Sequence, residues 1–336
     1  MNDAPECAPG PAPAPTLSDV AALAGVSRAI ASRALSAQPR PVSADKRERV
    51  LRAAEALGFR PNSLARGLAS KTVNLVAILV NHIHDLSDLD LFDLLLAQIQ
   101  AIGKQVIFIR VGAGGDAESF LRDGVAYHVD AALVFSDFAD AATVRRMFRN
   151  NAVLMLNGQH DPAAPSVIMD EDQGIREAVA DAAAKGVRTA VLVTGRTLSR
   201  VEQARIASYR AALARQGITL LAELAGDYSY ASGHALAAQI DVEATGAVFC
   251  TSDAMAMGVL DAHRAHFPDH RPARFRLYGF DNVSLTQFDA YPISSIGADK
   301  RDYVAQVVRI LKQAAPLAQN SEHVLVPTRF VARLTG

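Results

Sequence analysis

The stretch Thr16-Leu17-Ser18-Asp19-Val20-Ala21-Ala22-Leu23-Ala24-Gly25-Val26-Ser27-Arg28-Ala29-Ile30-Ala31-Ser32-Arg33-Ala34-Leu35 contains two helix starts, one helix stop and a division into inner and outer faces. Thr16 and Asp19 stand at the capping-box spacing, where the hydroxyl and the carboxylate satisfy amides that a first helical turn leaves free. Val20, Ala21, Leu23 and Ala24 then supply an apolar side. Gly25 falls where this helix must stop, because glycine enters the left-handed region without a Cβ clash. Val26 can turn inward, and Ser27 is a good cap for a second helix. In that helix Ile30, Ala31, Ala34 and Leu35 form the inward stripe, which leaves Arg28, Ala29, Ser32 and Arg33 facing out. Two short helices about a Gly-containing turn read as a helix-turn-helix, whose second helix enters the DNA major groove with its first residues against base edges.

Working outward, Gln38-Pro39-Arg40-Pro41 breaks the chain, and Ser43 caps a third helix with Val50, Leu51, Ala54 and Leu57 at helical spacing, closed by Gly58. Arginines on such a module would equally suit a plain solvated surface, and the charge distribution separates the two readings. Residues 16–71 hold ten Lys and Arg against four acids, a balance of +6, whereas residues 72–336 carry -5 and the first fifteen -2. The whole-chain value of -1 therefore conceals a basic headpiece, the electrostatic footprint of a nucleic-acid partner. The first fifteen residues contain five of the fifteen prolines and are expected to be a disordered tail. After Pro61, Asn62 can cap a two-turn helix that is too short to be stable alone, and Gly67 weakens it by about 1 kcal/mol relative to alanine.

With 336 residues and 50% hydrophobic content, there is ample material for large buried cores beyond the headpiece. From residue 75, β-branched runs (75–80, 106–111, 131–135, 153–156, 190–194, 247–251 and 276–280) alternate with amphipathic segments (92–102, 140–150, 172–185, 201–216, 253–266 and 301–315). Such alternation implies βαβ units and parallel sheets covered by helices on both faces. About 260 residues is generous for one such sheet, so two lobes with a ligand cleft at the carboxyl ends of their strands are expected. The fold expected is a small all-α headpiece followed by an α/β body of two doubly wound parallel-sheet lobes. Its parts are a tail at 1–15, a helix-turn-helix domain at 16–61, a hinge and linker at 62–74, and an effector-binding and dimerisation body at 75–336. Within the body the N-lobe would comprise 75–168 plus 298–318, and the C-lobe 169–297 plus 319–336.

No run reaches the roughly 18 apolar residues of a bilayer span, and no basic segment followed by an apolar one opens the chain, so a soluble, cytoplasmic protein is expected. Cys7 and Cys250 are too few for a disulfide framework or a cysteine zinc site and read as free thiols. No His-Glu-x-x-His, Gly-x-Ser-x-Gly or Gly-x-x-x-x-Gly-Lys-Ser/Thr motif is present, and an enzyme is not expected. Nor are a cofactor and a bound metal, although His82, His84, Asp85, Asp88 and Asp90 form a cluster that also suits a cleft lining or a solvated loop. Gly112-Ala113-Gly114-Gly115 lacks phosphate-loop spacing and reads as a turn. No heptad pattern follows Val331, so no coiled-coil tetramer is expected.

The residues from Thr16 to Ser27, then Ser32-Arg33-x-Leu35, Arg47-x-x-Val50, Ala53-x-x-Leu57-Gly58-Phe59-Arg60-Pro61-Asn62 and Ala65-Arg66-x-Leu68, resemble the headpiece of the LacI/GalR family of ligand-responsive repressors. In the body, Arg205-x-x-x-Tyr209-Arg210-x-Ala212-Leu213, Ser252-Asp253-Ala254-Met255-Ala256-Met257-Gly258 and Gly279-Phe280-Asp281-Asn282 resemble landmarks of the same family, in order. The resemblance implies a homodimer on a pseudopalindromic double-stranded operator, with a periplasmic-binding-protein-like body whose cleft takes a small, carbohydrate-like effector, a nucleobase, a sugar acid or a phosphate ester being equally compatible with the residues. It places Arg28, Ala29 and Arg33 on base edges, with Ser18, Ser27 and Ser32 beside them. It makes the segment from Asn62 a hinge helix in the minor groove, with Ala65 near its partner hinge and Leu68 wedged between base pairs. The implied effector set is Asn81, His82, Asn157, Arg205, Tyr228, Asp253 and Asp281. Two departures stand out: Ile30-Ala31 replaces a more usual Thr-Val pair, and residues 81–90 replace the usual Asn-Pro-Phe-Phe stretch. A sugar-binding protein of periplasmic type without DNA function is the alternative, and the headpiece argues against it.

Overall fold

A computed structural model describes residues 15–36, 41–60, 73–80, 86–111, 129–135, 140–148, 152–156, 161, 164–197, 199–267, 274–313 and 322–336. The chain divides into two compact units, residues 1–73 and 74–336. In the first unit, α1 (Leu17–Leu23), α2 (Arg28–Ala34) and α3 (Ala44–Ala56) enclose a core of Val20, Ala21, Ala24, Ala31, Ala34, Val50, Ala53 and Ala54. Both halves of the capping box form at Thr16 and Asp19, and Gly25 has φ +63° as the turn requires. Arg47 on α3 donates to the Ala34 carbonyl at 3.0 Å, placing a cation at the carboxyl end of α2, where the helix dipole favours it. Two expected core positions are instead exposed: Leu23 lies 58% and Leu51 50% open. Six alanines and two valines fill the inward stripes of the three helices, and Leu23 and Leu51 fall outside them.

In the second unit, the strands are β1 (Leu75–Val80), β2 (Gln105–Arg110), β3 (Ala131–Val134), β4 (Val153–Met155), β5 (Ser166–Asp170), β6 (Thr189–Thr194), β7 (Thr219–Ala225), β8 (Ala247–Cys250), β9 (Arg276–Phe280), β10 (Ser294–Ala298) and β11 (His323–Val331). The helices are α4 (Leu86–Ala101), α5 (Ala141–Phe148), α6 (Asp172–Ala184), α7 (Arg200–Arg215), α8 (Tyr230–Leu236), α9 (Asp253–His266) and α10 (Lys300–Lys312). The strands pair in the order β2-β1-β3-β4-β5-β11-β10-β9-β8-β6-β7, so each lobe repeats the same 2-1-3-4-5 arrangement. Both faces of each sheet are covered. Val76, Ile78 and Val80 pack with α4 and α10, whereas Ala77 and Leu79 pack with α5. Ala190 and Leu192 pack with α6 and α7, whereas Val191 and Val193 pack with α9. Strands buried on both faces read as continuous apolar runs, as β1 and β6 do.

Among the described residues, three segments cross between lobes. The first joins β5 to α6 through Glu171, the second joins β10 to α10 through Asp299, and the third lies inside β11. Residues 323–327 of β11 pair parallel with β5, and residues 328–331 pair antiparallel with β10. The third crossing is therefore at Pro327–Thr328 and not at 318–319 as the sequence suggested, because one strand serves both sheets and no break in the sequence marks the exchange. Thr328 locks the first and third crossings together, its hydroxyl donating to the Asp170 carbonyl at 2.9 Å and accepting from the Gly174 amide at 3.3 Å. Among the described residues, no helix is long and apolar enough to cross a membrane.

Candidate functional site

In the first unit the Ser27 hydroxyl accepts from the Ile30 amide at 3.3 Å and starts α2. The helix then buries Ala31 and Ala34, leaves Ile30 and Leu35 half-buried, and turns Arg28, Ala29, Ser32 and Arg33 to solvent. Ser18 and Ser27 are exposed as well. All six described members of the sequence-derived DNA set thus lie on open surface. Asn62, Ala65 and Leu68, like the rest of 61–72, lie outside the described residues.

In the second unit, chemistry gathers where the strand order of the C-lobe sheet reverses. Chains leaving β6 and β8 diverge there, and ligand crevices in open α/β sheets form at such points. Glu202, fully buried near the start of α7, fills the divergence. Its Oε1 accepts from the Gly195 amide at 2.6 Å and the Thr251 hydroxyl at 2.7 Å, and its Oε2 accepts from the Tyr228 hydroxyl at 2.9 Å. One carboxylate thereby ties together the turns that follow β6, β7 and β8.

Arg205, one turn along α7, lies 3.6 Å from Glu202. Its Nε and Nη2 donate to the two oxygens of Glu171 at 2.8 and 2.6 Å, and its Nη1 donates to the Thr251 carbonyl at 2.8 Å. The guanidinium carbon also lies over the Phe280 ring, 3.9 Å from its centroid, a cation–π contact. Burial alone would lower the pKa of Arg205. The carboxylate of Glu171, followed by those of Glu202 and Asp281, more than offsets that and holds the group well above its ordinary value. Tyr228 sits at φ +74° with its ring over Gly195, where a Cβ would come within 1.9 Å of the ring. Burial, then Glu202, raises the Tyr228 pKa, so the phenol stays a donor.

Asp253 and Asp281 have different surroundings. Asp281 is at the carboxyl end of β9 with φ +97°, its amide donating to the Ile296 carbonyl at 2.7 Å. Asp253 is wholly buried at the start of α9, where it accepts from the Ser295 hydroxyl at 2.6 Å and the Val283 amide at 2.9 Å. Burial and the nearby Asp281 carboxylate push the Asp253 carboxyl well up. The sequence grouped the two as effector contacts. The packing instead gives Asp253 the task of holding the turn that presents Asp281, because both of its oxygens are engaged inside.

A second polar link joins the lobes. Asp90 on α4 accepts from the Ser284 amide at 2.7 Å and the Ser284 hydroxyl at 2.9 Å, and Lys300 reaches both Asp90 at 3.3 Å and the Asn282 carbonyl at 3.1 Å. Asp88 and Asp90 belong to α4, so the helix begins inside the stretch expected to be loop. Asn81, His82 and Asn157 lie outside the described residues, as do His84, Asp85 and Gly112 to Gly115. Arg205, Tyr228 and Asp281 are brought together, and the sequence missed their partners Glu171, Glu202 and Phe280. Phe280 stood inside a quoted motif. A carboxylate on an otherwise apolar helix stripe, Glu202 with Ile206 and Tyr209, was the available signal for the hub.

Comparison with known proteins agrees with this fold. Residues 16–62 match the family model of bacterial regulatory proteins of the lacI family, and residues 179–335 match that of the periplasmic binding protein-like domain. The chain is 28% identical to catabolite control protein A of Priestia megaterium over 311 residues, covering 88% of this chain and 91% of that one. It is also 28% identical to the lactose operon repressor of Escherichia coli over 326 residues, covering 95% and 90%. Among solved structures, the lac repressor dimer bound to operator and the anti-inducer ONPF superimposes with a TM-score of 0.82 at 26% identity, covering 95% of this chain and 98% of that one.

Proposed function

The chain belongs to the lacI family of bacterial regulatory proteins, a DNA-binding transcriptional regulator and not an enzyme, and from that premise we propose how it reads DNA and what it senses. It acts in the cytoplasm as a dimeric repressor on a pseudopalindromic operator whose half-sites lie about one helical turn apart. Arg28, Ala29 and Arg33 meet base edges, Ser18, Ser27 and Ser32 support them, and Asn62, Ala65 and Leu68 order as a hinge in the minor groove. The observation that carries this is the outer face of α2, where Arg28, Ala29, Ser32 and Arg33 are all exposed behind a capped start at Ser27.

The interlobe cleft takes a small polyhydroxylated effector. Arg205 and Asp281 supply directional polar groups, Tyr228 supplies a flat face, and Asn81, His82 and Asn157 complete the lining. Effector and operator are coupled reciprocally, so each changes the other's affinity by the same factor.

The test selects duplexes from a random pool and measures their binding by fluorescence anisotropy over a range of salt. A selected palindrome should bind far more tightly than its scrambled counterpart, and log K should fall linearly with log salt as phosphate contacts release counterions. Equal affinity for selected and scrambled duplexes would sink the reading.

A further inference from the structure

The hydrogen bonds of Arg205 bear on which effectors the cleft admits, an inference that rests on the cleft reading above. The Nε–Nη2 edge of a guanidinium is the fork that recognises carboxylate or phosphate in a bidentate manner. In this protein that fork is already occupied by Glu171 from the β5–α6 crossing, at 2.8 and 2.6 Å. One Nη1 hydrogen is held by the Thr251 carbonyl, and Phe280 covers one face. The side chains of Arg205 and Glu171 are only 10% and 16% exposed, so an incoming anion would have to displace Glu171 from a sheltered pair.

The remaining charges point the same way. Glu202 and Asp281 add two more carboxylates within electrostatic reach of Arg205. Of the other described cations nearby, Lys300 pairs with Asp90, Arg196 stands 5.6 Å over the Tyr228 ring with Asp227 in electrostatic reach, and Arg333 donates to the Asn282 side chain and the Ile293 carbonyl. Three carboxylates, Glu171, Glu202 and Asp281, therefore surround the one guanidinium of Arg205. We propose that Glu171 is a specificity-determining residue that closes the Arg205 fork to anions and restricts the effector to polyhydroxylated molecules without net negative charge. Glu171 acts by charge and by occupancy, and the effector does not need to touch it.

The test is calorimetric titration of the full chain and its Glu171→Gln and Glu171→Ala variants, each first shown to be folded by circular dichroism. The probes are glucose with glucose 6-phosphate, galactose with galacturonate, and inorganic phosphate alone. In the parent chain neither anionic sugar should bind more tightly than its neutral counterpart. At least one folded variant should gain roughly tenfold or more in affinity for phosphate or an anionic sugar, as expected when a bidentate charge-assisted fork is released. An anionic sugar preferred by the parent overturns the inference without a variant being needed, and no anion gain in either folded variant overturns it as well. Anion binding by a Glu171→Gln chain that survives a further Arg205→Ala substitution in a folded double variant places the anion away from the fork, and sinks the cleft reading itself and the inference with it.

Discussion

Removing the Glu202 carboxylate should cost the second unit more than any single exposed ion pair could. In Glu202→Ala three groups lose their acceptor at once, namely the Gly195 amide and the hydroxyls of Thr251 and Tyr228, and Arg205 loses a carboxylate neighbour 3.6 Å away. A buried donor left unsatisfied costs about 1–3 kcal/mol, but the two hydroxyls can rotate or recruit water, so these penalties do not simply add. With the lost second carboxylate beside the buried Arg205 included, the net loss should be about 3–5 kcal/mol. For a unit of about 260 residues unfolding with about 2.1 cal/mol/K per residue, that is a fall in Tm of about 6–9 °C. Glu202→Gln keeps an oxygen for Gly195 and Thr251 and loses the ionic contact to Arg205, while the Tyr228 hydroxyl can turn to accept from the new amide, so it should fall by only about 2–4 °C. Differential scanning calorimetry at neutral pH distinguishes the two. A shift below about 2 °C for Glu202→Ala, or equal shifts for both variants, would refute the hub assignment.

The hydroxyl of Tyr209 is buried and has no hydrogen-bond partner among the described residues, so Tyr209→Phe should be neutral or stabilise by up to about 1 kcal/mol in urea unfolding; a loss above about 1 kcal/mol would mean the hydroxyl is satisfied. Asp227 is held at a pKa of about 2 by the Ser229 side chain and amide and by Ser232, below its ordinary 3.8. Because the folded value is depressed, its contribution is present above pH 3.8 and is lost as pH falls toward 2, so Asp227→Asn should flatten that part of the acid limb of a Tm–pH curve; parallel curves for parent and variant would contradict this. Arg33→Ala should cost about 1–3 kcal/mol on the selected operator and relax preference at one base pair, and an equal loss on every duplex would assign Arg33 to phosphate contact instead.

What could be read from the sequence depended on how far away each residue's partner lay. The runs at 75–80, 190–194 and 247–251 were recognisable as strands because both of their faces are buried, so they carry little polar interruption. β7 was not, because Thr219-Leu220-Leu221-Ala222-Glu223-Leu224-Ala225 has one β-branched residue and sits at the edge of the sheet. β11 was hidden by Pro327, which normally argues against a central strand. It is tolerated because it falls at the exchange, the last residue paired with β5 before Thr328 takes up β10.

The site divides in the same way. Ser27 and Ile30, or Thr16 and Asp19, lie within a turn of each other, so spacing alone revealed their bonds. Arg205 could be placed by its position four residues before Tyr209 on one helix. Its chemistry could not, because Glu171 arrives from an interlobe crossing 34 residues away, and Glu202 gathers donors from three separate turns. Those turns converge because the strand order puts β6 between β7 and β8, and the same reversal opens the gap that a buried carboxylate must fill. Topology rather than local sequence thus decides whether Arg205 stands as an open cation or as half of a neutral pair. That is why the spacing Arg205-x-x-x-Tyr209 puts the arginine on the inner side of α7 but leaves its pairing to Glu171, which no local pattern announces.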